Sequence, residues 1–408
     1  MNTLVSQITR AFRHRDFRIL WSGAFLSFIG SWVQTVGQGY LVYKITGDPA
    51  KLALVTFAGS LPVSILGPLP GTIVDMFDRK KLLVAEQLLM GCGALFLSAA
   101  VYFKVASDQL YWIILGTALI VGTVSAFEMP TRQSVIGRVV PQEDLSAAIP
   151  LNALTFNLAR LLGPAIGGLV LRFADVDLCY LINGISYIAL VFSALAIRAD
   201  LRPTSRDPQP IQDLVLEGMR YTFQNRALRT LFILESIVSV FGIFYIPLIP
   251  AIAKDILNLD KAGLSACYVA MGVGSVCALL LITATAERGL RALVLRCDMT
   301  LMALALLGMS WVQSPVLAFV IFAVLGFCGV AHFNTTNTMF QLLSPDRLRG
   351  RVLSMHVWAL AGLSPFGVMF FGWLARGVGL GTSIRIGAAF VMAGAIGAWM
   401  SKRGLEAV

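Results

Sequence analysis

Apolar runs of about 20 residues recur along the chain from Phe17 to Met400, separated by charged residues, Gly/Pro pairs and turn residues. Each run is long enough to cross a hydrocarbon core of ~30 Å as a helix. A bilayer leaves an open sheet edge unsatisfied, so spans of this kind are helical. The breaks predict twelve helices, over 17–43, 50–74, 81–104, 109–131, 147–171, 177–198, 227–252, 262–286, 291–312, 315–340, 351–375 and 380–401. The pattern therefore predicts an all-α integral membrane protein. One long stretch is polar, RADLRPTSRDPQPIQDLVLEGMRYTFQNR at 198–226. Its Pro-rich start reads as a linker and its second half as an amphipathic interfacial helix. The expected organisation is an N-terminal six-helix bundle over 1–198, a cytoplasmic linker with an amphipathic helix over 199–226, and a C-terminal six-helix bundle over 227–408.

Composition agrees with this pattern. The 408 residues are 57% hydrophobic and 13% charged, against roughly 25% charged in an ordinary soluble domain. A net charge of +10 raises the question of nucleic acid, but the basic residues form short clusters between apolar runs and no continuous stripe. No nucleic-acid partner is expected. With the N-terminus placed in the cytoplasm, 23 of the 32 Lys and Arg residues fall on the cytoplasmic side and eight on the other. That positive-inside bias predicts a multi-pass protein of the bacterial inner (cell) membrane with both termini cytoplasmic. The basic N-terminal segment has no A-x-A cleavage site, so a removable signal peptide is not expected. The six cysteines lie in or beside apolar segments without metal-ligand spacing and read as free, small core residues.

The remaining basic residue is Arg160, inside the apolar run FNLARLLGPAIGG of the fifth span. An unpaired guanidinium in hydrocarbon costs ~2.5–3.5 kcal/mol on insertion scales, so Arg160 is expected to face something polar. Asn157 stands one turn before it, and Glu128, Glu235 and Glu86 are candidate partners. Other intramembrane polar residues are candidates for substrate or proton handling. Gln34 and Gln38 are four apart and share a helical face, with Trp32 and Tyr40 nearby, as a lining for an amphiphilic substrate. Glu235 is an acid in the first half of the seventh span. Shifting the sequence by 204 residues lays FEMPTRQSVIGRVVPQEDLSAA, from Phe127, on AHFNTTNTMFQLLSPDRLRGRV, from Ala331. The two junctions occupy equivalent places in the two halves, which points to a duplicated six-helix unit. His332 then aligns with Glu128, and Asn334 and Asn337 lie close to His332.

The loop PGTIVDMFDRKK, Pro70–Lys81, must reverse the chain within a few residues. Here Gly71 allows close helix approach, Asp75 can cap or pair at the next helix start, and Arg79, Lys80 and Lys81 hold the loop inside. This loop resembles the G-x-x-x-D-R-x-G-R-R motif of the major facilitator superfamily, with Met76 and Asp78 departing from it. TATAERGLRAL, with Glu287 and Arg288, resembles a degenerate second copy. In the fifth span, GPAIGG is similar to the antiporter motif G-P-x-x-G-G of proton-coupled exporters in that superfamily. Pro164 removes a backbone donor, while Gly163, Gly167 and Gly168 admit a neighbouring helix closely. The block Phe127–Gly168 resembles the branch that includes the enterobactin exporter and macrolide-efflux proteins. Glu128 stands at its acidic position, and Pro130, Arg132, Gln133, Asn152, Asn157 and Arg160 match. LSPDRLRGRVLSM resembles a second block of the same branch.

The resemblance implies two pseudo-symmetric six-helix bundles that rock about a midplane cavity. It gives gating roles to Asp75, Arg79, Glu287, Arg288, Gly163, Pro164, Gly167 and Gly168. Gln34, Gln38, Asn157, Arg160, Asn334 and Asn337 are the candidate substrate-cavity residues. Glu128, Glu235 and His332 are the candidates for proton coupling. No G-x-x-x-x-G-K-[ST] or H-E-x-x-H motif and no Cys/His metal cluster occurs, so ATP-driven pumping, metal chemistry, a cofactor and enzymatic catalysis are unsupported. The expected function is proton-coupled secondary efflux of a small amphiphilic molecule, such as a siderophore, a macrolide or a similar drug. The expected partners are that substrate, protons and the lipid bilayer, and the expected state is a monomer. The alternatives are a lipid-handling flippase or facilitator and a membrane receptor that moves nothing.

Overall fold

The computed structural model describes residues 10–67, 69–202, 211–285, 290–345 and 348–401. Among these the chain is helical without strands, and twelve helices are long and apolar enough to cross a membrane. Spans one to six are Arg15–Thr46, Pro49–Leu66, Arg79–Tyr102, Ser107–Val139, Leu145–Phe173 and Val176–Ala196. Spans seven to twelve are Arg226–Ile256, Lys261–Thr285, Arg291–Met309, Pro315–Leu343, Arg349–Val378 and Leu380–Met400. Large apolar side chains such as Phe96, Trp112, Phe192 and Trp373 stand exposed on the outer faces. In a soluble protein such faces would be sticky; against lipid they are the proper surface.

Two span boundaries differ from the pattern's expectation for local reasons. The second helix stops at Leu66 because Gly67 turns at φ 51, and a separate short helix, Leu69–Met76, follows. The left-handed region costs glycine little. Span four does not end near Pro130 but runs through it to Val139. A proline removes one backbone donor, while Arg132, Val135, Ile136 and Val139 continue a buried stripe at helical spacing that holds the last turns in place. Span three is capped by Asp78, whose carboxylate accepts from the amides of Lys80 and Lys81 at 2.9 and 3.3 Å. The capping acid of this loop is therefore Asp78. Of the six free cysteines, Cys179, Cys267 and Cys328 are buried and Cys92, Cys277 and Cys297 are exposed, so only half are core residues.

The chain forms two compact units that do not follow chain order. One holds residues 1–41 and 68–207, the other 42–67 and 208–408. In the first, span three packs on spans four and six. In the second, span nine packs on spans ten and twelve, span eight on span ten, and span two on span eleven. Span two belongs there through contacts such as the edge-to-face pair Phe57–Phe366, with ring centroids 5.7 Å apart. The helix Ile211–Gln224 is amphipathic and docks on protein. Gly218 lies against the backbone of Arg351, Glu217 pairs with Arg351, and Thr222 is buried.

Span seven carries π-helical turns at Val238–Gly242 and Ile252–Ile256, and span eleven carries one at Trp358–Gly362. A π turn inserts an extra residue and redirects the side chains around it, and such turns recur at functional sites. Ser239 Oγ in the first of these donates to the carbonyl of Leu360 in the third at 2.7 Å. The irregular turns of the two spans are thus fastened to each other.

Candidate functional site

Next to these fastened turns, the second unit buries two carboxylate–imidazole pairs. Glu235 Oε2 of span seven lies 3.0 Å from His356 Nδ1 of span eleven, with side chains 0% and 1% exposed. Asp298 Oδ1 of span nine lies 3.3 Å from His332 Nδ1 of span ten, with side chains 2% and 1% exposed. Glu235 is within electrostatic reach of the Asp298–His332 pair. The remaining polar atom of each group, Glu235 Oε1, Asp298 Oδ2, His332 Nε2 and His356 Nε2, is buried without a hydrogen-bond partner. Leaving such atoms unsatisfied costs stability, so the arrangement is expensive for a purely structural contact. Each pair can hold a proton between carboxylate and imidazole, and each imidazole has a second nitrogen to pass it on.

The first unit buries acids in a different setting. Thr131 Oγ1 of span four lies 2.7 Å from Glu86 Oε1 of span three. One residue on, Arg132 pairs with Glu128 at 3.0 Å and places its guanidinium 4.0 Å from the Phe28 ring centroid. A polar chain continues between spans one and six. Ser31 Oγ and Tyr187 Oη are 3.2 Å apart, Asn183 Nδ2 donates to Gln34 Oε1 at 2.6 Å, and Gln34 reaches Gln38 at 3.5 Å. Gln34 therefore meets span six through Asn183, which is buried.

Arg160 is half-buried and sets its guanidinium 5.8 Å from the Trp32 ring centroid, a cation–π distance. The three acids named as its candidate partners engage other groups: Glu128 meets Arg132, Glu86 meets Thr131 and Glu235 meets His356. The glycine run after Arg160 is a close seam against span one. A Cβ at Gly163 would strike Trp32 and come within 3.0 Å of the Ile29 carbonyl oxygen. At Gly167 it would come within 3.3 Å of the Val33 backbone. Gly367, 204 residues after Gly163, packs in the same way on the Val240 backbone of span seven, so the seam recurs in the other half of the chain.

In span ten, Asn334 donates to the Val330 carbonyl at 2.9 Å and Asn337 accepts from Gln341 at 3.4 Å, both contacts local to the helix. Arg79 is buried and bonds Ser134 at 3.2 Å and the Arg202 carbonyl at 3.0 Å, while Lys80 Nζ donates to the carbonyls of Leu195 and Ile197. These residues clamp the chain leaving span six onto the start of span three. The side chains of Asp75 and Asn157, and residues Glu287 and Arg288, lie outside the described residues.

Sequence reasoning singled out Glu235 and His332 but missed their partners His356 and Asp298, and the contact of Thr131 with Glu86. Asp298 was visible as a lone acid in the apolar run RCDMTLMALALLGM, and an intramembrane acid is a functional candidate by default. His356 gave a weaker signal, because it stands only five residues after the Arg349–Arg351 cluster at the start of its span. A cavity of ≈ 540 Å³ lies elsewhere in the second unit, lined by Gly47, Asp48, Asp255 and Arg376 among others. Asp255 is twenty residues after Glu235 along span seven, or about 30 Å at 1.5 Å per residue, so the cavity sits at the opposite end of that span. There Tyr43 bonds Asp255, and Arg376 Nε lies 3.6 Å from Asp48. Among the described residues no group of three or more His, Cys, Asp or Glu is placed to hold a metal ion.

Twelve spans, buried intramembrane acids and a glycine seam repeated at a fixed interval are the attributes of a major facilitator transporter. The crystal structure of a nucleoside transporter, NupG (D323A mutant), superposes with a TM-score of 0.78 at 13% identity, covering 95% of this chain and 100% of that one. The sequence profile of the transmembrane secretion effector family matches residues 7–406, and the chain belongs to that family. Macrolide efflux protein A of Streptococcus pyogenes is 22% identical over 372 residues, spanning 89% of this chain and 90% of that protein. The staphyloferrin A transporter of Staphylococcus aureus is 22% identical over 368 residues, with the same shares covered. The chain is thus a multi-pass bacterial membrane transporter whose relatives are efflux proteins.

Proposed function

We propose that this protein is a proton-driven exporter that moves a small amphiphilic molecule of the macrolide or siderophore kind out of the cytoplasm by alternating access. The observation that carries this reading is the pair of buried carboxylate–imidazole contacts, Glu235–His356 and Asp298–His332, with four unpartnered polar atoms inside a membrane-spanning bundle. A proton bound there changes the charge of a site whose side chains are almost fully buried. Protonation therefore favours one conformation and substrate the other, which is the differential affinity that coupling needs. Glu128, Glu235 and His332 are the proton-coupling residues on this reading. Gln34, Gln38, Asn157, Arg160, Asn334 and Asn337 contribute to the substrate path. Arg79 with Asp75, Glu287 and Arg288 gates the cytoplasmic end, and the glycines of span five provide its bending seam. The protein acts as a monomer with both termini in the cytoplasm.

The efflux relatives support the direction of transport and the substrate class. The test is uptake into inside-out vesicles of a panel of siderophores, macrolides and lysolipids, read by mass spectrometry with and without a protonophore. Accumulation of a macrolide or siderophore that collapses with the protonophore is the expected result. Movement of lysolipid alone, or binding by the purified protein without flux, overturns the reading in favour of a lipid-handling facilitator or a receptor.

A further inference from the structure

Thr131 is placed between two oxygen atoms. Its Oγ1 lies 2.7 Å from Glu86 Oε1 and 2.9 Å from the carbonyl oxygen of Phe127, one turn back in span four. A threonine hydroxyl has one hydrogen to donate, and an ionised carboxylate and a backbone carbonyl are both acceptors only. With Glu86 ionised, one of these two short contacts would hold no hydrogen. With Glu86 as the carboxylic acid, its O–H donates to Thr131 Oγ1, whose own hydrogen goes to Phe127, and both contacts are satisfied. The second oxygen, Glu86 Oε2, is buried without a hydrogen-bond partner, and the residue is 3% exposed. A neutral carboxyl tolerates that position far better than a carboxylate does.

The charged and titratable groups around Glu86 come from the two spans packed on span three. Span four supplies Arg132 and Glu128, and Tyr187 of span six packs further along span three with Met90 and Ala94. Arg132 is 1% exposed and already engages Glu128. It is the cation available to balance a carboxylate at position 86 once the proton has left. The helix starts offer a second argument. Glu86 stands seven residues after Arg79, the first residue of span three, and Asp298 stands seven residues after Arg291, the first residue of span nine. Both halves thus bury an acid at the same turn of corresponding helices.

We propose that Glu86 is a further proton carrier, beside Glu128 in the first unit, loaded as the neutral acid in this conformation. It releases its proton to water on the cytoplasmic side during the transport cycle, and the resulting carboxylate is held by Arg132. This rests on the proton-driven reading above and adds a site that the sequence placed only as a partner for Arg160.

Glu86→Gln is the informative variant, because a glutamine amide can donate to Thr131 as the acid does and the fold is preserved. Infrared spectra of the purified protein at neutral pH should show a buried carboxylic C=O stretch that is lost in Glu86→Gln. In inside-out vesicles carrying labelled erythromycin as probe, the variant should lose gradient-driven accumulation. It should retain downhill exchange of the same probe, which a folding defect would abolish along with accumulation. Absence of the band from the wild type, or its survival in Glu86→Gln, overturns the proposal. Wild-type accumulation matched by the variant also overturns it and leaves the proton-driven reading standing. A wild type that exchanges erythromycin but never accumulates it against the gradient removes the proton-driven reading itself, and the further carrier with it.

Discussion

Glu86 and Asp298 occupy the same turn of corresponding helices, yet their surroundings differ in kind. Glu86 meets a hydroxyl at 2.7 Å, and Asp298 meets an imidazole at 3.3 Å with Glu235 and a second imidazole, His356, in the same unit. A threonine hydroxyl keeps one hydrogen and accepts another, so it can hold a proton on its neighbour but does not itself change charge. An imidazole takes up and releases a proton near neutral pH and presents two nitrogens for doing so. On the proposed reading, the first unit stores a proton and the second relays one. On that reading, the two acids sit at like positions in spans three and nine, and the facing residue of the next span decides the chemistry of each.

The sharpest way to break this comparison is to remove charge without removing volume. Glu235→Gln is expected to abolish gradient-driven accumulation in vesicles, with the protein still folded by size-exclusion and circular dichroism. His356→Ala should behave differently, because it strands Glu235 in the bundle without its partner. Breaking a buried pair from one side costs about 3–5 kcal/mol. That should appear as a lowered melting temperature or poor recovery of protein in detergent. If Glu235→Gln accumulates substrate normally, the second unit is not a relay and the contrast with Glu86 loses its meaning.

The fold was legible because lipid leaves few choices. A helix such as Pro315–Leu343 is long and apolar enough to cross a membrane, and turn and charged residues separate it from its neighbours. The site was only partly legible. Glu235 and His332 stand out because ionisable residues in such runs are rare. Their partners depend on which helix faces which, a fact carried by packing and absent from local sequence. Gln34 shows the same limit from the other side: four-residue spacing with Gln38 correctly places both on one face, but that face meets Asn183 of span six. The boundary near Pro130 misled for a related reason, since burial of Arg132, Val135 and Val139 outweighs the cost of one missing backbone donor.

The glycine seam offers a second comparison between the halves, with a smaller effect. Gly163→Val should push span five off span one at Trp32, and Gly367→Val should push span eleven off the Val240 backbone of span seven. Overpacking of this kind costs about 1–3 kcal/mol, readable as a lower melting temperature in detergent for both variants. If only Gly163→Val also slows transport, the span-five seam bends during the cycle while its counterpart is static packing. Equal effects on transport would make the seams functionally symmetric, and no effect from either would leave them as ordinary close packing.

The starts of spans three and nine provide the finest test. Asp78 caps span three by accepting from Lys80 and Lys81, whereas Leu290 stands at the same place before span nine and makes no side-chain cap. The amides at the two helix starts are equivalent, so a carboxylate has the same task at each. Asp78→Ala should cost about 1 kcal/mol, and hydrogen exchange should quicken at the Lys80 and Lys81 amides. Leu290→Asp should stabilise span nine by a similar amount, because its first turn gains an acceptor that also suits the positive end of the helix dipole. If Leu290→Asp instead destabilises, the half-exposed apolar contact of Leu290 outweighs a cap. The two helix starts would then owe their stability to different forces, despite carrying their acids at the same turn.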